Sequence, residues 1–140
     1  MMRTASCQCG QLSLTVEGEP TLVSVCNCTR CQKRSGSAFT LASRWNPNQV
    51  GERSGNGLTY SRKGASGGNV QFEFCPVCGS TVSTRLELLP DVIGIPVGCF
   101  ADSTFPAPKV AAWCESKHEW VRFPDGLLLL RDQSQPMETQ

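Results

Sequence analysis

Asn69-Val70-Gln71-Phe72-Glu73-Phe74-Cys75-Pro76-Val77-Cys78-Gly79 is the stretch that decides the fold. Its opening residues alternate polar and apolar, which puts Val70, Phe72 and Phe74 on one face of a strand. The strand runs straight into C-x-x-C-G, the knuckle of a zinc ribbon, so a sheet here ends in a pair of metal-ligating thiols.

The same alternation recurs outward from this stretch. Gln11-Leu12-Ser13-Leu14-Thr15-Val16-Glu17 turns Leu12, Leu14 and Val16 to one side before Gly18-Glu19-Pro20 stops it. Leu22-Val23-Ser24-Val25 reads as another strand, and further strands are expected at 38–45, 58–61, 81–86, 92–97, 110–115 and 127–130. Pro96 restricts its strand to an edge or a bend. Asn46-Pro47-Asn48 is a turn, and Gly64-Ala65-Ser66-Gly67-Gly68 a flexible loop that matches neither phosphate-binding glycine pattern. No helical period is sustained. The expected fold is mainly β, with short antiparallel sheets tied together by metal sites and little helix.

The chain has 140 residues, the size of one domain, and residues 1–130 are read as that domain with 131–140 as a disordered tail. A formal net charge of +1 removes the electrostatic case for a nucleic-acid or anionic-membrane surface. No stretch approaches the ~20 apolar residues of a membrane span. Met1-Met2-Arg3-Thr4-Ala5-Ser6-Cys7 has no apolar run behind its charge, so no signal peptide is expected and the cytoplasm is the expected compartment.

Nine cysteines are an odd number, and a reducing compartment disfavours disulfides. Seven of them fall into Cys7-X-Cys9, Cys26-X-Cys28-X-X-Cys31 and Cys75-X-X-Cys78, which are metal-binding spacings. Strand side chains repeat every second residue, so Cys26 and Cys28 can point the same way. One helical turn over 29–34 then brings Cys31 beside Cys28, and Ser35-Gly36-Ser37 ends it.

The claws Cys7/Cys9 and Cys75/Cys78 each end in glycine, whose backbone freedom lets nearby N–H groups face the sulfurs. Together they make a closed set of four thiolates, which leaves Cys26, Cys28 and Cys31 as an open set of three. In the alternative, both clusters are structural and the second takes a fourth ligand from Cys99, Cys114 or His118. Cys99 and Cys114 lie in apolar segments, as small core residues do, and His118 lies in the polar Ser116-Lys117-His118-Glu119.

Two zinc ions per chain are therefore expected, one in each set. A divalent ion held by three thiolates is already net anionic, so it suits activation of a thiol better than activation of water. Arg30, Lys33 and Arg34 could offset that charge or hold an acidic thiol substrate; otherwise they form a solvated face.

The order C-x-C-G, C-x-C-x-x-C followed by S-G, and F-C-x-x-C-G resembles the glutathione-dependent formaldehyde-activating family, to which centromere protein V is related. The segments are Cys7 to Gly10, Cys26 to Gly36 and Phe74 to Gly79, and the likeness extends over about residues 5–128 through Trp113, Glu115-Ser116-Lys117 and Trp120. The resemblance implies a β-tent fold, structural zinc at Cys7, Cys9, Cys75 and Cys78, and catalytic zinc at Cys26, Cys28 and Cys31. It also implies a carbon–sulfur lyase of the S-(hydroxymethyl)glutathione synthase type, with glutathione and formaldehyde as small-molecule partners. Where members often carry a histidine, this chain reads Val110-Ala111-Ala112-Trp113. The competing expectation is a zinc-stabilised binding module without catalysis, since one fold can host several functions.

Overall fold

The computed structural model of the chain describes residues 1–137. In chain order its elements are β1 (Met2–Ser6), β2 (Ser13–Glu17), β3 (Leu22–Cys26), α1 (Thr29–Ser35), β4 (Thr40–Trp45), β5 (Val50–Ser54), β6 (Leu58–Lys63), β7 (Asn69–Phe74), β8 (Thr81–Leu86), β9 (Leu89–Pro96), β10 (Val110–Ala112) and β11 (Leu128–Leu129). Short 3-10 turns lie at Pro47–Gln49, Val97–Phe100 and Cys114–Ser116. The protein is mainly β, with α1 as the one α-helix among the described residues. The chain packs as two compact units, Met1–Thr21 with Ser43–Thr104, and Leu22–Ala42 with Phe105–Gln140.

In the first unit, β1, β2 and β5 form an antiparallel sheet with β2 in the middle. The alternation read in β2 is realised, because Leu14 and Val16 are buried and Ala5 of β1 sits opposite Leu14. β6, β7, β8 and β9 form an antiparallel meander. The glycine loop closes its first hairpin, with Gly64 N–H donating to Gly68 O at 2.7 Å.

Trp45, with no exposed surface, anchors the end of β4 in this unit. Its indole N–H donates to Ser43 Oγ at 2.8 Å, and that hydroxyl donates to Ile95 O of β9 at 2.9 Å. The buried polar groups thus satisfy one another in a chain, as a dry interior demands. Gly55 shows how closely the backbones pack: it has φ 86°, and a Cβ there would stand 1.7 Å from Gln11 O.

In the second unit, β3 pairs with β10 and β10 with β11, and both pairs are parallel. Beside the antiparallel pairs expected from the sequence, the fold thus includes parallel ones. Parallel partners need a crossover of about a dozen or more residues, and long segments separate these strands in the chain. The core here gathers Val25, Ala111, Cys114, Val121 and Phe123. Phe39 meets Phe123 edge-on at 5.6 Å.

The strand expected over 110–115 ends at Ala112, because Trp113 adopts the left-handed φ 56°, ψ 40° and starts a 3-10 turn. β1 and β5 escape the sequence reading because neither alternates: β1 buries Ala5 alone and β5 buries nothing fully. The expected tail is hydrogen-bonded as far as Met137, with Trp113 N–H donating to Asp132 O at 2.7 Å and Met137 N–H to Leu129 O at 2.7 Å. The rest of that tail, residues 138–140, lies outside the described residues.

Ser43→Ala should remove the acceptor of the buried Trp45 indole N–H and a donor to the Ile95 carbonyl. Loss of a buried partner costs about 1–3 kcal/mol. Urea denaturation is expected to show a loss of that size; an unchanged midpoint would contradict the buried chain of hydrogen bonds.

Candidate metal centres

The structure gathers Cys7, Cys9, Cys75 and Cys78, with their sulfurs all within 4.8 Å of one another. Cys7 follows β1 and Cys75 follows β7, so each strand delivers a claw. Each claw then turns sharply: Gly10 N–H donates to Cys7 O at 3.1 Å, and Gly79 N–H to Cys75 O at 2.8 Å. Gly10 has φ 84° and Gly79 φ 81°, which is why glycine closes both motifs.

Donors surround these sulfurs. Leu12 N–H reaches Cys7 Sγ at 3.3 Å, Val77 N–H reaches Cys75 Sγ at 3.4 Å, and Gln11 Nε2 reaches Cys75 Sγ at 3.0 Å. The Cys78 thiol is lowered to about 5 by hydrogen bonds with the Ser80 hydroxyl and then the backbone N–H groups of Ser80 and Cys9. Cys7 and Cys75 are buried with Leu12 and Val82 in the first unit's core, whereas Cys78 is half-buried and Cys9 exposed. Cys99 packs on the same core and donates its Sγ to Thr81 O at 3.3 Å.

The donor set fits zinc. Tetrahedral Zn–S bonds of about 2.3 Å put sulfurs roughly 3.8 Å apart. Here Cys7 and Cys9 are 3.6 Å apart and Cys9 and Cys75 are 3.7 Å apart.

Cys26, Cys28 and Cys31 form a second group whose sulfurs also lie within 4.8 Å of one another. Cys26 ends β3, Cys28 caps α1 by accepting Cys31 N–H at 3.4 Å, and Cys31 lies in the helix. Gly36 in the left-handed conformation, φ 67°, ends α1 as expected. Among the described residues no other histidine, cysteine, aspartate or glutamate joins this group.

Between the first two thiols, Asn27 is wholly buried. Its backbone N–H and its Nδ2 both donate to Ala112 O, at 3.0 and 2.9 Å. Asn27 Oδ1 has no hydrogen-bond partner among the described residues. Because the chain alternates, an inward Asn27 turns Cys26 and Cys28 the other way, and both are half-buried.

The three thiols polarise one another. Cys28 is lowered to about 2, first by hydrogen bonding from Cys26, then from Cys31, with the N–H groups of Cys31 and Arg30 assisting. Cys26 is pushed far up by the same contacts with Cys28 and Cys31 and by burial.

Arg30, Lys33 and Arg34 are exposed on α1 at the i, i+3, i+4 spacing of one face. Cys114 is buried and donates its Sγ to Ala111 O at 3.4 Å, and His118 is exposed with Nε2 3.2 Å from Gln32 Oε1. Asn27, Gln32 and Ser116 were not singled out in the sequence. Nothing in their spacing marks them, since each acts through contacts that cross the chain.

Fold and sites define a mainly β protein with two cysteine clusters that could hold metal ions. Over residues 2–116 the chain matches the family of the glutathione-dependent formaldehyde-activating enzyme, and it belongs to that family. A solved structure of a Rhodobacter sphaeroides protein is similar in fold, with a TM-score of 0.56 at 20% identity, covering 74% of this chain and 91% of that one. No curated protein matches the chain. No helix among the described residues is long and apolar enough to cross a membrane.

Structural zinc contributes folding free energy outright. Cys75→Ser, or chelation, should therefore abolish cooperative unfolding near the wild-type Tm, whereas Cys28→Ala should shift it by only a few degrees. Equal, small losses in calorimetry would overturn the division of labour.

Proposed function

We propose that the protein is a carbon–sulfur lyase of the S-(hydroxymethyl)glutathione synthase type, which adds the sulfur of glutathione to formaldehyde and reverses that addition. The observation that carries this reading is the group of three thiols at the head of α1, which no fourth protein ligand joins among the described residues. Family membership supports the substrate class.

Cys26, Cys28 and Cys31 would hold one zinc ion, and Cys7, Cys9, Cys75 and Cys78 the other. At the three-cysteine site zinc would supply Lewis acidity that favours the deprotonated form of an incoming thiol. Arg30, Lys33 and Arg34 would draw in glutathione through its carboxylates and offset the thiolate charge. Attack of sulfur on the carbonyl carbon forms the C–S bond and moves the carbonyl π pair onto oxygen, which then takes a proton. Thr29, exposed in the first turn of α1, or water would deliver that proton. Ser35 is engaged elsewhere, since its hydroxyl donates to Cys31 O at 2.8 Å. The reaction would run in the cytoplasm, where the chain's free thiols stay reduced.

Zinc-loaded protein should accelerate exchange between free formaldehyde and its glutathione adduct, followed by NMR, and Cys28→Ala should lose that acceleration. Wild-type protein indistinguishable from the uncatalysed mixture would exclude the reaction. Lys33→Glu should raise the glutathione KM several-fold with kcat within about twofold, the pattern of lost uniform binding. An unchanged KM would remove the basic face from the site.

A further inference from the structure

Gln32 follows Cys31 in α1, and its main chain is fully used by the helix: its N–H donates to Cys28 O at 3.0 Å and its carbonyl accepts Gly36 N–H at 2.8 Å. Its side chain does something else. Gln32 Nε2 donates to Asn27 O at 2.8 Å and to Ser116 O at 3.0 Å.

Both partners are backbone carbonyls, which can only accept. The amide nitrogen must therefore face them, and both of its protons are committed. That fixes an orientation which geometry alone leaves open for most glutamines. The remaining atom, Oε1, lies 3.2 Å from His118 Nε2. A carboxamide oxygen only accepts, so His118 Nε2 must carry a proton. The neutral ring is then the Nε2–H tautomer, with its lone pair on Nδ1.

The surrounding contacts make Gln32 a junction. Ser116 Oγ also donates to Asn27 O, at 3.0 Å, so this carbonyl between Cys26 and Cys28 is held from two sides. The 3-10 turn carrying Ser116 begins at Trp113, a bulky residue held in the left-handed region with φ 56°. Such a conformation persists only where its surroundings over-determine it. Here Trp113 N–H donates to Asp132 O at 2.7 Å, and Trp113 O accepts Ser116 N–H at 3.2 Å.

We propose that Gln32 is the positioning residue of the three-cysteine site: through Asn27 O it sets the directions of Cys26 and Cys28, and through Oε1 it presents His118 as an Nε2–H imidazole. The proposal rests on the reading of those cysteines as a metal site. Partners one step removed from a ligand typically change metal affinity by about 10–100-fold when lost.

The chain has a single histidine, so the imidazole nitrogens of zinc-loaded, 15N-labelled protein give one set of signals. At alkaline pH the wild-type ring should show the Nε2–H signature. Gln32→Met should release the ring from that tautomer and weaken one of the two bound metals about 10–100-fold in chelator competition, leaving the other metal unchanged. Gln32→Glu keeps an acceptor facing His118 and should keep the Nε2–H ring, a response that a purely structural role would not produce. An Nδ1–H ring in the wild type, or a Met variant with unchanged tautomer or unchanged metal retention, would overturn the proposal. So would a wild-type protein that takes up only one metal, since the metal reading falls with it. Absence of formaldehyde turnover in a protein that passes these tests would sink the proposed reaction and leave the role of Gln32 standing.

Discussion

Four sulfur atoms must converge to within ligand-sharing distance, and the first unit is arranged around that requirement. Cys7 and Cys75 lie at the ends of β1 and β7, so both strands have to finish at one point, and both claws have to turn back through a left-handed glycine. Side-chain packing alone would leave such strand ends loose. The N–H groups of Leu12 and Val77 and the amide of Gln11 make the convergence tolerable by placing positive dipoles against the sulfurs. Leu12 and Val82 then bury Cys7 and Cys75 in the apolar core, where a thiolate without donors would be costly, while Cys9 stays exposed.

The second group solves a different problem, which is to keep three thiols together without enclosing them. Alternation along the end of β3 settles which side chains go inward: Val23, Val25 and Asn27 are buried, while Cys26 and Cys28 are half-buried. A buried amide must find partners, and Asn27 finds Ala112 O twice. β10 supplies that acceptor because its parallel register sets Ala112 opposite Cys26. The parallel pairing of β3 and β10 is thus the device that holds the peptide between Cys26 and Cys28.

The sequence made much of this legible. Periodicity exposed β2 and β7 because each has residues on a buried face, and the spacing of cysteines grouped seven sulfurs as the structure groups them. Glycine after each claw was readable because only a positive φ lets the chain turn there. What stayed hidden depends on contacts distant in sequence. The parallel registers of β3, β10 and β11 leave no local signature, β1 has too little apolar pattern to stand out, and the tail's attachment works through carbonyls that any sequence would offer. Gln32 and Ser116 belong to the same class: their importance lies in what they touch.

The contrast between the two clusters bears on chemistry through charge. In the four-cysteine set the thiols divide, Cys78 being lowered to about 5 and the exposed Cys9 raised to about 11. In the three-cysteine set, hydrogen bonding with Cys26, then Cys31, and the Cys31 N–H lower the Cys28 thiol. The cations nearby in sequence, Arg30, Lys33 and Arg34, are exposed on α1 rather than buried against the sulfurs. Exposed cations act on anions over a distance of about a Debye length.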